Sequence, residues 1–259
     1  MPTVSVVIPF SKANDERERN LFYTIEYYKR NLPNAFIIVV EQDSDTYFGL
    51  LSNKIDKHVK VDTKGDLFNR SLLLNKGFNS SQTDFCSDYI IFADGDCLVE
   101  KSVLESINEH YHSFDNYFVI PYRDSIFYLS DEETKKFISN KEDNIGGNTT
   151  SRNLDSISTG TGGVIILSAK NYYKLGGFDE RFKGWGVEDN AFHNKSLGLG
   201  LTIYRIEGEL IHLNHFNSPK NMDNYENNVK IYNETFSSTN FKEYIDSLGY
   251  DHLAKPCNN

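Results

Sequence analysis

The chain has 259 residues, and its 27 basic against 37 acidic side chains give a formal charge of −10. A phosphate backbone is bound by a basic surface, so this balance excludes nucleic acid as the main partner. A small anion can still bind through a metal ion. A chain of this length can bury a sizeable core, and because no internal repeat or long linker divides it, we expect one domain.

Cysteine content and hydropathy bear on the compartment. Cys86, Cys97 and Cys257 are an odd number without a paired spacing, which predicts neither a disulfide framework nor a zinc cluster and fits a reducing compartment. The sequence holds no apolar stretch of the about 18 residues that a transmembrane segment needs. The run "VSVVIPF" begins too early to follow a signal peptide and is too short to span a membrane. We expect a soluble cytoplasmic protein, with peripheral contact at the inner face of the membrane as a further expectation.

Apolar runs alternate with helical patterns over the first hundred residues. The segments "VSVVIPF", "AFIIVV" and "YIIFAD" are continuous apolar runs, which are typical of strands buried on both faces. Between them, Asp15 to Leu32 and "LFNRSLLLNKGF" have helical spacing, and the second helix is expected to end at Gly77. This βαβ alternation predicts an α/β fold with an open, mostly parallel sheet.

Ligands bind beyond the carboxyl ends of the strands in such sheets. Those positions hold Pro9 and Phe10 after the first run, Glu41 after the second and Asp94 after the third.

The second half is less regular in pattern. Residues 122–159 predict a loop-rich, solvated insertion, whereas "GTGGVIILSAKNYYKLGGFD" predicts a strand followed by a helix. Beyond His215 the polar segment "FNSPKNMDNYENN" predicts a mobile region.

Asp94 and Asp96 stand one glycine apart at the end of "YIIFADGD". Alternate residues of an extended segment point the same way, so both carboxylates can reach one Mg²⁺ or Mn²⁺ ion or its water shell. The alternative is a helix cap, with Cys97 to Ile107 as the helix and Glu100 near its start. The position favours a metal, because two charges ending a buried strand are costly without a counter-ion.

His212 and His215 lie three residues apart in "ELIHLNH". A single histidine beside apolar residues is more often a satisfied core residue, but two at one strand end favour a metal site. Imidazole nitrogen with carboxylate oxygen suits manganese, and open positions can take phosphate oxygens of a substrate. Zinc competes, and the absence of cysteine ligands nearby favours the harder ion.

The segment "FKGWGVEDNAF" contains the single tryptophan, Trp185, between Gly184 and Gly186. This pattern predicts a flexible segment that presents a flat ring to a carbohydrate, beside the hydrogen-bond acceptors Glu188 and Asp189. The alternative is an ordinary helix start with acidic residues in its first turn. Both can hold together, because a helix start is a rigid place for a base.

Taken in order, four segments resemble the signature blocks of the β1,4-galactosyltransferase family and its bacterial relatives among inverting, metal-dependent glycosyltransferases. They are "FNRSLLLNKGF", "YIIFADGDCLV", "GTGGVIILSAKNYYKLGGFDERFKGWGVEDNAF" and "LIHLNHFNSPKN". The resemblance covers residues 67–221 with a gap. It implies a GT-A fold, with a mixed, mostly parallel central sheet flanked by helices. Within a single domain it implies a nucleotide-sugar-binding half at 1–97, an acceptor and catalytic half at 98–215, and a mobile loop and tail at 216–259.

By motif position, the resemblance implies Mn²⁺, with Mg²⁺ as the alternative, on Asp96, His212 and His215. It implies Asp189 as the general base, with Glu188 beside it on the acceptor. Arg70 resembles a nucleotide-binding arginine, and Trp185 belongs to a loop that closes over the donor. With the strand-end residues, the expected donor site is Pro9, Phe10, Arg17, Glu41, Arg70, Asp94, Gly163 and Trp185.

Departures from the family pattern include three positions in the second half of the chain. This chain has "GVEDNA" where many relatives have "GGEDDD", so Val187 and Asn190 change the surroundings of the base. Gly160 stands near a position where galactose-specific relatives carry a bulky aromatic residue. A smaller residue there leaves room for a 2-acetamido group, which implies an N-acetylhexosamine donor.

The expected function is transfer of galactose or N-acetylgalactosamine from a UDP-sugar to a hydroxyl of a glycan or glycolipid. A metal ion stabilises the leaving diphosphate, so a single carboxylate base suffices. One alternative is a nucleotidyltransferase acting on sugar phosphates, which predicts a glycine-rich loop where this chain has "SKANDERER". The other is an inactive carbohydrate- or nucleotide-binding module, against which the intact carboxylates argue.

Overall fold

The computed structural model describes residues 2–42, 53–110, 114–142, 150–153, 160–216, 222–237, 240–249 and 251–257. We number the elements in chain order over these ranges. The strands are β1 Val4–Phe10, β2 Phe36–Gln42, β3 Lys57–Val61, β4 Tyr89–Ala93, β5 Cys97–Val99, β6 Tyr117–Ile120, β7 Ser125–Tyr128, β8 Thr150–Asn153, β9 Val164–Ser168, β10 Thr202–Arg205 and β11 Glu209–His212. The helices are α1 Asp15–Asn31, α2 Arg70–Thr83, α3 Lys101–His110, α4 Asp131–Asn140, α5 Ala169–Lys174, α6 Glu188–Gly198, α7 Met222–Ser237 and α8 Phe241–Leu248.

A seven-stranded main sheet has the order β10-β6-β9-β4-β1-β2-β3. Its neighbours pair in parallel except β9, which is antiparallel to both β4 and β6. The three apolar runs at its centre, β1, β2 and β4, are almost entirely buried, because helices cover both faces of such a sheet. The predicted α/β class with a mixed, mostly parallel sheet is confirmed.

The sequence predicts that helix α2 ends at Gly77. In the structure it continues to Thr83. Gly77 is needed for close packing instead, since a Cβ there would lie 2.2 Å from Cγ1 of Val7 in β1. A glycine that permits contact between a helix and a sheet has the same sequence signature as one that ends a helix.

A second sheet of four strands has the order β5-β11-β7-β8. Strand β11 is antiparallel to β5 and parallel to β7. The helix from Cys97 to Ile107 in the alternative interpretation is therefore wrong at its start, because residues 97–99 pair with β11 and α3 begins only at Lys101. A buried strand of three residues is too short to show a hydrophobic periodicity, so the sequence does not reveal its pairing.

The expected loop-rich insertion at residues 122–159 is also wrong in part. It contains β7, α4 and β8, and α4 begins with a capping box in which Ser130 and Glu133 exchange hydrogen bonds. Residues 143–149 and 154–159 of this stretch lie outside the described part of the chain.

The C-terminal region, expected as a mobile loop and tail, contains regular structure, and its mobility stays a prediction. Residues 222–248 contain α7 and α8, and a disulfide joins Cys86 to Cys257, whose Cα atoms are 5.3 Å apart. The expectation of no disulfide is wrong because the two cysteines are 171 residues apart, a separation that leaves no local spacing to recognise. Residues 217–221 of the expected mobile loop lie outside the described ranges.

The main sheet takes strands from both halves of the expected domain, with β1 to β4 before residue 98 and β6, β9 and β10 after it. The division into functional halves stays a prediction. Among the helices that the structure describes, none is long and apolar enough to cross a membrane.

Candidate active site at the ends of the main strands

A tight turn connects β4 to β5 and presents the paired aspartates. The backbone N–H of Asp94 donates to the carbonyl of Gly163 at 2.8 Å, and that of Cys97 donates to the carbonyl of Asp94 at 3.1 Å. The Thr24 hydroxyl of α1 donates to the Gly95 carbonyl at 3.0 Å. These bonds fix the turn from three sides, so the two carboxylates stand at defined positions beyond the sheet.

Arginine and histidine side chains surround Asp96. The Nε2 atom of His215 lies 3.1 Å from its Oδ2 atom, and Nη1 of Arg17 lies 3.8 Å from the same oxygen. The backbone N–H of Leu213 donates to the Asp96 carbonyl at 2.9 Å, which holds the end of β11 against the turn. The ring of His212 completes the group, with its centroid 5.4 Å from that of His215.

The charge state of Asp96 follows from these neighbours. Burial by itself raises the pKa of a carboxyl group, but His212, His215 and Arg17 outweigh it and lower the pKa of Asp96 below its ordinary value. The hydrogen bond to Asp96 raises the pKa of His215. Asp96 is therefore held as an anion, the charge state in which a carboxylate can bind a divalent metal ion.

Each histidine ring is oriented by the backbone carbonyl of the residue that follows it. Nδ1 of His212 donates to the carbonyl of Leu213 at 3.1 Å, and Nδ1 of His215 donates to that of Phe216 at 3.2 Å. A backbone carbonyl on one ring nitrogen leaves the other as the metal-binding atom, which is the usual arrangement of a ligating histidine.

A cysteine lies among these ligand candidates, contrary to the sequence analysis. Ligand atoms of Asp96, Cys97 and His212 all lie within 4.8 Å of one another. Cys97 and His212 are direct partners in the antiparallel pairing of β5 with β11. That pairing joins segments far apart along the chain, so the expectation of no cysteine near the histidines is wrong for a tertiary reason.

Arg70, the first residue of α2, bridges two carboxylates from different elements. Its Nε atom donates to Oδ1 of Asp94 at 2.7 Å, and its Nη1 atom donates to Oδ1 of Asp189 at 2.7 Å. The same Nη1 lies 4.0 Å from Oε1 of Glu188. The guanidinium thus joins the strand-end aspartate to the acidic pair at the start of α6.

The start of α6 places its two acidic residues against a glycine turn. Val187 precedes the helix with a φ of 62°, and Glu188 and Asp189 form the first turn. A Cβ at Gly162 would lie 2.2 Å from Oδ2 of Asp189, so only glycine leaves room for this carboxylate. Burial and the neighbouring charge of Asp189 raise the pKa of Glu188 to about 7, although Arg70 opposes the shift.

The Trp185 segment packs on α7. Trp185 is 52% exposed, and its ring stacks on Tyr225 with centroids 5.4 Å apart. The Asn228 side chain donates to the carbonyls of Lys183 at 3.0 Å and of Trp185 at 3.3 Å. Sequence reasoning missed Tyr225 and Asn228, and their only signal was the three-residue spacing that puts both on one side of a helix.

The remaining expected donor residues are placed as follows. Pro9 and Phe10 are buried at the end of β1, and Gly163 adopts a φ of +83° where its carbonyl accepts from Asp94. Glu41 is fully buried, and its Oε2 atom lies 2.8 Å from Nε2 of His58. The structure pairs Glu41 with a histidine of β3, and its donor contact, like the other site roles, stays a prediction.

Family models and curated relatives agree on one kind of protein. A model described as glycosyl transferase family 2 matches residues 5–172, and one described as the N-terminal domain of galactosyltransferase matches residues 148–219. Human beta-1,4-galactosyltransferase 1 is 24% identical over 255 residues, 96% of this chain and 51% of its own length. The xylosylprotein 4-beta-galactosyltransferase of Caenorhabditis elegans is 26% identical over 161 residues, 61% of this chain and 45% of its own. The chain thus spans about half the length of these relatives or less.

Two solved structures have the same fold. The catalytic domain of Drosophila beta1,4galactosyltransferase 7, solved with xylobiose, aligns with a TM-score of 0.52 and 16% identity over 93% of this chain and 83% of that one. Residues 1–349 of S. aureus TarS align with a TM-score of 0.59 and 10% identity over 97% and 70%. The family 2 model covers well over half of the chain. The chain therefore belongs to glycosyl transferase family 2, has the GT-A fold, and is β1,4-galactosyltransferase-like.

Proposed function

We propose that this chain is an inverting, metal-dependent glycosyltransferase. It transfers a hexose or an N-acetylhexosamine from a UDP-sugar to a hydroxyl of a glycan or glycolipid. The transferred sugar is galactose or N-acetylgalactosamine. One observation carries the proposal: Asp96, which contacts Arg17 and His215, shares its turn with Asp94, and Arg70 connects Asp94 to the acidic pair at the start of α6. The galactosyltransferase relatives support the same activity.

The residues divide between the two ends of the reaction. A divalent ion held by Asp96, His212 and His215, Mn²⁺ with Mg²⁺ as the alternative, would supply Lewis-acid stabilisation of the leaving diphosphate. Oδ2 of Asp189 is the atom that accepts the proton of the acceptor hydroxyl, because Oδ1 is held by Arg70.

The other groups bind and orient the substrates. With a pKa of about 7, Glu188 exchanges hydrogen bonds with acceptor hydroxyls in either protonation state. The exposed Trp185 ring offers a stacking surface for a sugar.

Replacing Asp189 with asparagine tests the assignment of the base. The amide keeps the shape of the side chain but cannot take the proton, so we expect transfer to fall at least about 100-fold while donor binding persists. The measurement is Mn²⁺-dependent turnover of UDP-Gal, UDP-GalNAc, UDP-Glc and UDP-GlcNAc, with donor affinity from calorimetry.

Asp246→Asn on the exposed face of α8 is the matched control and should keep wild-type turnover. Normal turnover of Asp189→Asn would place the base elsewhere. Absence of turnover by the wild-type protein, with UDP-sugar binding intact, would identify a binding module instead.

The cytoplasmic location, with contact at the inner face of the membrane, stays a prediction. Disulfides are uncommon in reducing compartments, so the Cys86–Cys257 bond removes the cysteine argument that supported it.

A further inference from the structure

Cys97 is the free cysteine of the chain, and it is buried at the start of β5 with 2% of its surface exposed. Directly opposed residues of an antiparallel pair project from the same face of a sheet. Cys97 is opposed by His212, so the thiol and the imidazole share one face of the second sheet.

The thiol lies between the metal-site carboxylate and a glycine. Its Sγ atom is 3.5 Å from Oδ1 of Asp96, whereas Nε2 of His215 lies 3.1 Å from Oδ2. A Cβ at Gly163 would lie 3.3 Å from this sulfur, a closer contact than most side chains tolerate. Residue 163 therefore has no room for a side chain beside the thiol.

We propose that Cys97 binds the metal ion of this site as a thiolate, together with Asp96 and the histidines, and fits the site to thiophilic divalent cations. The proposal rests on the proposed function, because it concerns the same metal site. Sulfur, nitrogen and oxygen ligands together are typical of Zn²⁺ and Co²⁺ sites, whereas Mn²⁺ prefers oxygen with some imidazole. On binding, the S–H bond breaks, a metal–sulfur bond forms, and the proton passes to water.

Metal selectivity is the consequence. The thiolate adds affinity for Zn²⁺, Co²⁺ and Cd²⁺ but little for Mg²⁺, so the order of affinities differs from that of an oxygen and imidazole site. A cysteine that only fills the space between the strands would leave this order unchanged.

Cobalt absorption tests for a metal–sulfur bond without a measurement of activity. Titrating the metal-free protein with Co²⁺ should produce an intense thiolate-to-cobalt charge-transfer band at one ion per chain. Cys97→Ser should abolish this band and weaken Zn²⁺ binding about 10-fold or more, with a smaller change for Mn²⁺. The Cys86→Ser, Cys257→Ser double variant keeps Cys97 as its only cysteine and should retain the band.

Three outcomes separate the two proposals. The band in the wild type, with its loss in Cys97→Ser, supports the inference. Stoichiometric Co²⁺ binding that depends on Asp96, but without a charge-transfer band in the wild type, overturns the role of Cys97 and leaves the proposed function standing. Equal Co²⁺ binding by the wild type and Asp96→Asn overturns both, because no ion is then held at this site.

Discussion

Arg70 shows how a single residue links the parts of the site. The sequence assigns it to the nucleotide by motif position, whereas in the structure its two 2.7 Å hydrogen bonds reach Asp94 and Asp189. A guanidinium is a planar fork that binds two partners at a fixed angle, which the compact ammonium of lysine cannot reproduce. Arg70 therefore positions the expected base relative to the strand end that carries the metal-site turn.

Arg70→Lys should keep a positive charge but lose the simultaneous contacts. We expect kcat to fall about 10- to 100-fold, because a displaced base no longer meets the acceptor hydroxyl. Steady-state kinetics with separate kcat and KM values is the measurement, and the exposed Arg123→Lys serves as control. A change in the KM of the donor alone would indicate instead that Arg70 binds the nucleotide.

Glu188 gives a pH dependence of stability. Its pKa is raised to about 7 in the folded chain, above the ordinary value of 4.5, so the folded state holds its proton more strongly than the unfolded state. This group therefore destabilises the fold progressively as the pH rises from 4.5 to about 7.

The free energy of unfolding of Glu188→Gln, relative to that of the wild type, should rise by roughly 1–3 kcal/mol across this window. Urea denaturation of both proteins at several pH values measures the difference. A constant difference between the two proteins would mean that the pKa of Glu188 is ordinary.

At the scale of elements, the site is formed where the turn before β9 meets the start of α6. Gly162 faces Asp189 so closely that the two segments fit only without a side chain at residue 162. The Tyr122 hydroxyl lies within hydrogen-bonding distance of the carbonyls of both Gly160 and Gly162, which holds the turn from the end of β6. The "GTGG" segment is thus shaped by its neighbours as well as by its own flexibility.

Gly162→Ala should displace the Asp189 carboxylate, because the new Cβ would lie 2.2 Å from Oδ2. We expect transfer to fall about 10- to 100-fold, with metal binding retained at the separate Asp96 cluster. Gly65→Ala serves as a control outside the candidate site: its φ of +83° strains the alanine backbone, but a Cβ there meets nothing within 4 Å, so transfer should stay at the wild-type rate. Transfer at the wild-type rate by Gly162→Ala would show that the turn yields without moving the base.

At the scale of the whole molecule, the C-terminal segment is tied back to the body of the fold. Besides the disulfide, the Asn79 side chain of α2 donates to the carbonyl of His252 at 2.7 Å and accepts from the N–H of Ala254 at 2.7 Å. A disulfide that closes a long loop restricts the unfolded chain, which stabilises the folded state.

Cys257→Ser should lower the free energy of unfolding by about 2–4 kcal/mol, because the unfolded chain regains the freedom that the cross-link removes. Denaturant unfolding with and without reductant measures this, and reductant should have little effect on the variant. The denatured, unreduced wild-type protein should show a single reactive thiol, that of Cys97. Three reactive thiols would mean that the disulfide does not form.

Local patterns in the sequence predict the α/β class, the central strands and most residues of the candidate site. Each of these features leaves a local pattern: continuous apolar runs, helical spacing, or polar groups where a strand ends. The strand-end aspartates, the two histidines and the acidic pair at the start of α6 were all identified in this way.

Which of these residues contact one another depends on the tertiary structure. Cys97 faces His212 through strand pairing, Arg70 joins Asp94 to Asp189 across two elements, and the tail is bonded to the turn after α2. Local periodicity records the burial and direction of neighbouring residues, but contacts between distant segments depend on the order and register of strands. The tertiary structure therefore determines which side chains could serve together as ligands of a metal ion.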